Sequence, residues 1–256
     1  MEFFYNLSVY NQTLIASSIA MMMTILGAST VFIFKKINKS IMEGMLAISA
    51  GIMLSAAIFS LLLPSIEQSN NMNLNTSLIV TASILIGSLF LILGDIIASK
   101  KISNNNNTNV LLLVISIILH NIPEGMAIGV AFGSIIYNLD GATVAAAISI
   151  ALGIAIQNFP EGAAISIPIR RLGFSRTKSF IIGALTGIVE PISAIIGVML
   201  VLKVKLILPF LLAFAAGAML FVIIEELIPE ILKNKRKNLM AYLFLLGFVA
   251  MMLLEI

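Results

Sequence analysis

His120, Asn121 and Glu124 stand at i, i+1 and i+4 in the run LHNIPEGMAIG. Thirty-seven residues later Gln157, Asn158 and Glu161 repeat the pattern in IQNFPEGAAIS. On a helix each trio falls on one face within one turn. Glu190 adds a third carboxylate, again followed by a proline. Together these side chains offer one imidazole, several carboxylates and amide oxygens. They offer no thiolate, because the chain contains no cysteine. Imidazole suits zinc, iron, nickel and copper, whereas carboxylate and carbonyl oxygens suit magnesium, calcium and manganese. The mixture points to a borderline divalent ion such as zinc, ferrous iron or cadmium. Closed structural zinc sites are rich in Cys and His; an amide-diluted oxygen set fits exchangeable binding instead. Met53 could add a soft thioether, but among fourteen methionines packing is the better reading of it from composition.

The setting of these residues makes them costly. The chain is 256 residues long, 60% hydrophobic and only 11% charged, where a soluble domain is nearer one quarter charged. So much apolar surface cannot be hidden inside a globule of this size, and the chain is expected to use lipid as its solvent. A carboxylate at the centre of a membrane helix costs about 2.5–3.5 kcal/mol on insertion scales. Three of them cost on the order of 8–10 kcal/mol by simple addition, and no Lys or Arg lies at mid-span to offset it. A mobile cation would supply the missing charge. Pro123, Pro160 and Pro191 lack an N–H and clash with the preceding turn, so the carbonyls of Leu119, Ile156 and Gly187 are expected to lose their usual donors. Such backbone is tolerated at this depth where it is buried in protein or lines a cavity.

The elements that must position these groups can be read from hydropathy. A spanning helix needs roughly 20 mostly apolar residues. Eight candidates emerge: 13–34, 41–63, 77–98, 110–136, 142–169, 179–202, 206–231 and 239–255. They predict an all-α membrane protein formed as one transport domain over residues 1–256. The separators are polar or basic, among them KKINKS, EQSNNMNLNT, RRLGFSRTK and KNKRKN; the Asn-rich stretch in KKISNNNNTN reads as a flexible loop. The N-terminal MEFFYNLSVYNQTL lacks a basic n-region and a cleavage site, so the first span is expected to stay. With the N-terminus outside, thirteen of the fifteen Lys and Arg fall in inner loops, leaving only Lys203 and Lys205 outside. The positive-inside bias therefore predicts both termini on the outer face. Charge at span ends also removes any reason to expect nucleic-acid binding.

HNIPEG and QNFPEG lie on spans of opposite direction. A weaker echo links SAGIMLSAAIFSLLLP on span 2 with AAGAMLFVIIEELIP on span 7. Inverted repeats are a habit of secondary transporters, which hold substrate near the midplane. Asp95 on span 3 and Glu225 and Glu226 on span 7 lie nearer the inner face, as solvated helix ends or as an exit path for a cation. The Gly125, Gly129 and Gly133 series and the pair Gly183 and Gly187 read as helix packing. The residues alone leave a rival open: protonated glutamates bonded to their neighbours would form a proton relay, as in a proton-coupled carrier of a small organic solute. No HExxH, P-loop or nucleophile elbow is present, and no enzyme activity is expected.

At the paired phrases HNIPEG and QNFPEG the chain resembles the Zrt/Irt-like (ZIP) family of divalent metal transporters, most of all its bacterial GufA-type branch. The resemblance covers nearly the whole chain. It implies a 3+2+3 arrangement, with spans 1–3 and 6–8 related by inversion, and an elevator-like slide of one helix group in some members. It also implies a binuclear metal centre at mid-membrane, one site drawing on Met53, His120, Glu124, Gln157 and Glu161. The other would draw on Asn121, Glu124, Asn158, Glu161 and Glu190, and Met53 rises from packing residue to ligand. The implied function is import of divalent metal as substrate, zinc foremost, with iron, cadmium and manganese also candidates. No organic cofactor is implied. The expected location is the cell membrane of a bacterium, the inner or cytoplasmic membrane, with lipid around the chain and a homodimer as the assembly. Two departures stand out: many relatives have a histidine where Gln157 stands, and some an aspartate where Asn158 stands. The loop after span 3, often histidine-rich in the family, here reads SNNNNTN.

Overall fold

A computed structural model describes residues 2–33, 39–101, 108–137 and 142–255. Among them every regular element is helical, and eight helices are long and apolar enough to cross a membrane. They are α1 (Val9–Ile33), α2 (Lys39–Asn71), α3 (Thr76–Lys100), α4 (Val110–Tyr137), α5 (Val144–Arg171), α6 (Arg176–Lys203), α7 (Lys205–Leu232) and α8 (Lys237–Leu254). All eight expected spans are present. The Asn-rich stretch, with Lys35 and Lys36, lies outside the described residues.

One boundary differs from expectation, and for a physical reason. Span 2 does not stop at residue 63: it continues through Pro64 to Asn71. Just before that proline, Ala56–Leu62 form a π-helical segment, and the Leu63 N–H bonds back to the Ile58 carbonyl. The widened turn takes up the proline ring, which would otherwise strike the carbonyl four residues back. Span 7 repeats the device. Ile223–Leu227 are π-helical, the Ile228 N–H bonds to the Ile223 carbonyl, and Pro229 follows. Span 6 is broken rather than bent: one helix ends at Thr186, and the next starts at Val189. The Gly187 carbonyl, expected to lose its donor to Pro191, accepts instead from the Glu190 N–H at 3.1 Å. Pro123 and Pro160 are carried inside uninterrupted helices.

Small residues set the packing. A Cβ at Gly125 would fall on the Glu190 carbonyl and Ser193 Oγ, and one at Gly129 on the Ala194 carbonyl, so α4 and α6 touch backbone to backbone. Gly27 and Gly162 do the same for α1 and α5. Gly51 and Gly247 join α2 to α8, and Gly87 and Gly217 join α3 to α7. Such closeness substitutes for the hydrophobic drive that lipid cannot supply. The result is two groups of four helices, α1/α4/α5/α6 and α2/α3/α7/α8, meeting along α2, α4, α5 and α7. The outer surfaces of α3 and α8 expose Leu85, Leu89, Leu245 and Leu253, as lipid-facing helices do.

Candidate metal centre

The helical phrase on α4 and its copy on α5 face each other across the middle of the bundle. Gln157 Nε2 donates to Glu124 Oε1 at 2.7 Å. Asn158 Nδ2 donates to Glu190 Oε2 at 2.7 Å, and Thr24 Oγ1 of α1 donates to Glu190 Oε1 at 3.1 Å. Asn121 Nδ2 donates to the Thr186 carbonyl, at the break in α6, at 3.1 Å. Each amide thus gives its N–H to a neighbour, and its oxygen is left over. Asn121 Oδ1, Gln157 Oε1, Asn158 Oδ1 and Glu124 Oε2 are all buried without a donor. Buried acceptors are ordinarily met by hydrogen bonds. Four unmet oxygens on two facing helices form an acceptor cluster that a cation, or the proton of a neighbouring carboxyl, could satisfy.

The remaining expected residues are placed unevenly. His120 is buried, and its Nε2 lies 3.1 Å from Glu226 Oε1 of α7; Ser116 Oγ donates to the same oxygen at 2.9 Å. Glu161 is half-buried and lies within Coulomb reach of His120 and Glu226. Glu124 in turn feels both Glu161 and Glu190. Met53 is buried on α2. One turn before it, Ser49 Oγ reaches the Gln157 carbonyl at 3.3 Å, so the face of α2 carrying Met53 is the one that meets α5. Asp95 lies within Coulomb reach of His120 and Glu226, and so does Glu225, which is exposed. Among the described residues no three His, Asp or Glu converge on one point. What converges is acids interleaved with amides. Sequence reasoning missed Thr24, a lone hydroxyl in an apolar run, and the acids Glu43 and Glu230.

A cavity of about 400 Å³ opens at the basic end of the bundle, with Lys39, Arg171 and Glu230 near its mouth and His120 and Glu161 deep inside. A second cavity, about 200 Å³, opens at the opposite end and is lined by Ser60, Glu67, Gln68, Ser134 and Thr143. Between them lie fully packed residues, among them Met53, Ala57, Ala127 and Ile154. His120 and Glu161 are therefore reached from the basic end, and this packed stretch separates them from the other.

A family model described as ZIP Zinc transporter matches residues 97–255, which include α4 to α8 and all the expected metal ligands except Met53. The chain belongs to the ZIP zinc transporter family. It is similar along its whole length to Zinc transporter ZIP11 of Xenopus tropicalis, 31% identical over 96% of each chain. Zinc transporter GufA of Myxococcus xanthus is 33% identical over 85% of this chain and 87% of its own. Zinc transporter ZIP11 of Homo sapiens is 38% identical over 143 residues, 56% of this chain but only 42% of the human one. The resemblance carried by HNIPEG and QNFPEG is thereby confirmed at the level of the family, and the chain is a multi-pass membrane protein.

Proposed function

We propose that this chain imports divalent transition metal, zinc foremost and with iron, cadmium and manganese as further candidates, through a mid-membrane centre. The observation that carries the reading is the set of donorless buried oxygens on Asn121, Glu124, Gln157 and Asn158. A passing ion would take these oxygens with Glu161, His120 and Met53 as neighbours, and with Glu190 as a second carboxylate behind Asn158. A binuclear centre is the fuller form of the proposal, Glu124 and Glu161 bridging. Glu226, and Asp95 beside it, form the next station toward the basic end, because Glu226 lies against His120 on the wall of the open cavity.

The matched crossings support the inverted repeat. Exchanging spans 1, 2 and 3 for 6, 7 and 8, and 4 for 5, turns the α1–α5 contact into α6–α4 and the α2–α8 contact into α7–α3. All four of these are glycine-mediated crossings, and α2 and α7 each carry a π segment ahead of a proline. With both termini outside, the open cavity faces the cytoplasm of a bacterial cell, and the structure is an inward-facing form.

Uptake of radioactive zinc into vesicles tests the proposal. The native chain should accumulate zinc, and His120→Ala combined with Glu161→Gln should lower the initial rate at least tenfold. An unchanged rate in a variant that is folded and inserted overturns it.

A further inference from the structure

A third hollow lies beside the cavity at the basic end. Between the start of α2 and the turn into α8, a groove of about 820 Å³ is lined by Lys39, Lys233, Lys235 and Arg236 against the single carboxylate Glu43. That carboxylate is already taken. Lys39 Nζ lies 3.6 Å from Glu43 Oε1, and Asn234 Nδ2 donates to Glu43 Oε2 at 2.6 Å. Lys233 is paired with Glu230. Lys235 and Arg236 are exposed, and among the described residues neither has an acidic partner.

The loop that carries these cations is held in place. Asn234 is buried, and its amide also donates to Ser40 Oγ at 3.0 Å. Its oxygen accepts from the Arg236 N–H at 2.7 Å. Lys235 and Arg236 therefore project from a pinned turn, not from a loose end. Below the cationic rim the groove wall is apolar, formed by Ile41, Met45, Ile48, Leu239 and Leu243. Ile41 and Leu239 are exposed, on helices that enter the membrane at this level. A cationic rim over an apolar, lipid-facing wall is complementary to one kind of molecule: an acyl chain below and an anionic phosphate above. Basic hollows between spanning helices at the cytoplasmic level hold anionic lipid headgroups by the same logic.

We propose that the groove between α2 and α8 is a binding site for an anionic phospholipid, its phosphate held by Lys235 and Arg236 with Lys39 and Lys233 beside them. The groove shares Lys39 and Glu43 with the wall of the open cavity, so bound lipid would sit directly beside the metal route. The site stands whether or not zinc is the substrate.

The test is native mass spectrometry of the full chain released from bilayers that mix phosphatidylglycerol with phosphatidylcholine. The native chain should retain phosphatidylglycerol in preference. Lys235→Ala with Arg236→Ala should reduce that preference by about fivefold for each cation removed. Arg176→Ala with Lys178→Ala removes two cations from the same end of the bundle away from the groove, and should leave the preference intact. Absence of any preference overturns the proposal. So does an equal loss in both double variants, which would mark general attraction to the basic face. A third arm adds inorganic phosphate at millimolar concentration. Retention that survives it supports a lipid, and retention that phosphate alone abolishes overturns the lipid in favour of a free anion.

Discussion

Asn158 holds the balance of the centre. Its N–H groups are directed at Glu190 and, at 3.3 Å, at the Ala20 carbonyl, while its oxygen faces no donor. Replacing it by alanine strands a buried carboxyl oxygen, which costs about 1–3 kcal/mol, and thermal unfolding in detergent should move down accordingly. Replacing it by aspartate is more telling. An acceptor would then face Glu190 Oε2 at the 2.7 Å now spanned by a hydrogen bond. Asn158→Asp should be less stable than the native chain without metal and gain more stability than the native chain when zinc is added, because a ligand stabilises only the state that binds it. Equal zinc-induced shifts in the two proteins would remove Asn158 from the centre. The acids, amides and histidine of this site were legible because polar groups inside an apolar run are expensive and hence conspicuous. Thr24 was not legible: a hydroxyl can satisfy itself on its own helix, as Thr30 does on Gly27, so its type says nothing about a partner 166 residues away.

Helices here are joined by glycine, and that makes their crossings brittle. Gly129→Leu would drive a branched side chain into the Ala194 carbonyl and the Val198 N–H. The clash is with backbone, which cannot rotate away, so α4 and α6 must part. The expected loss is about 3 kcal/mol or more, read as a fall in folded yield and in unfolding temperature. Gly173→Ala makes the contrast: φ is +99° and nothing lies within 4 Å of a new Cβ, so only backbone strain of about 1–2 kcal/mol is added. If Gly129→Leu proves no worse than Gly173→Ala, the backbone contact between α4 and α6 is not what joins them. Number and order of spans followed from hydropathy alone, and the Gly125 series was rightly read as packing. The π segments escaped notice because nothing in AAIFSLLLP marks one extra residue in a turn. The expected end of span 2 at residue 63 fails for the same reason: Pro64 lies inside a helix that widens just before it.

At the scale of the whole molecule the question is which face the centre serves. The two four-helix groups meet along the seam that carries the site: His120 reaches across it to Glu226, and Ser49 reaches across it to Gln157. A slide of one group against the other would carry the α4–α5 donors past Met53 and Glu226, which stay with the second group. In the form seen here, the cavity at the basic end and the one at the opposite end are separated along α4 by the ten residues between His120 and Ala131, a rise of about 16 Å, packed at Ala127 and Ile128. Because the chain has no cysteine, single cysteines can report on this directly with a thiol reagent that does not cross membranes. Ala164→Cys, on the wall of the cavity at the basic end, should label only in inverted vesicles, and Ser134→Cys, on the wall of the other, only in intact cells. Ala127→Cys, in the packed stretch between, should label far more slowly than either. Labelling of Ala164→Cys and Ser134→Cys from one side would overturn the arrangement of two opposed cavities. Fast labelling of Ala127→Cys would show an open pore where alternating access requires a closed barrier.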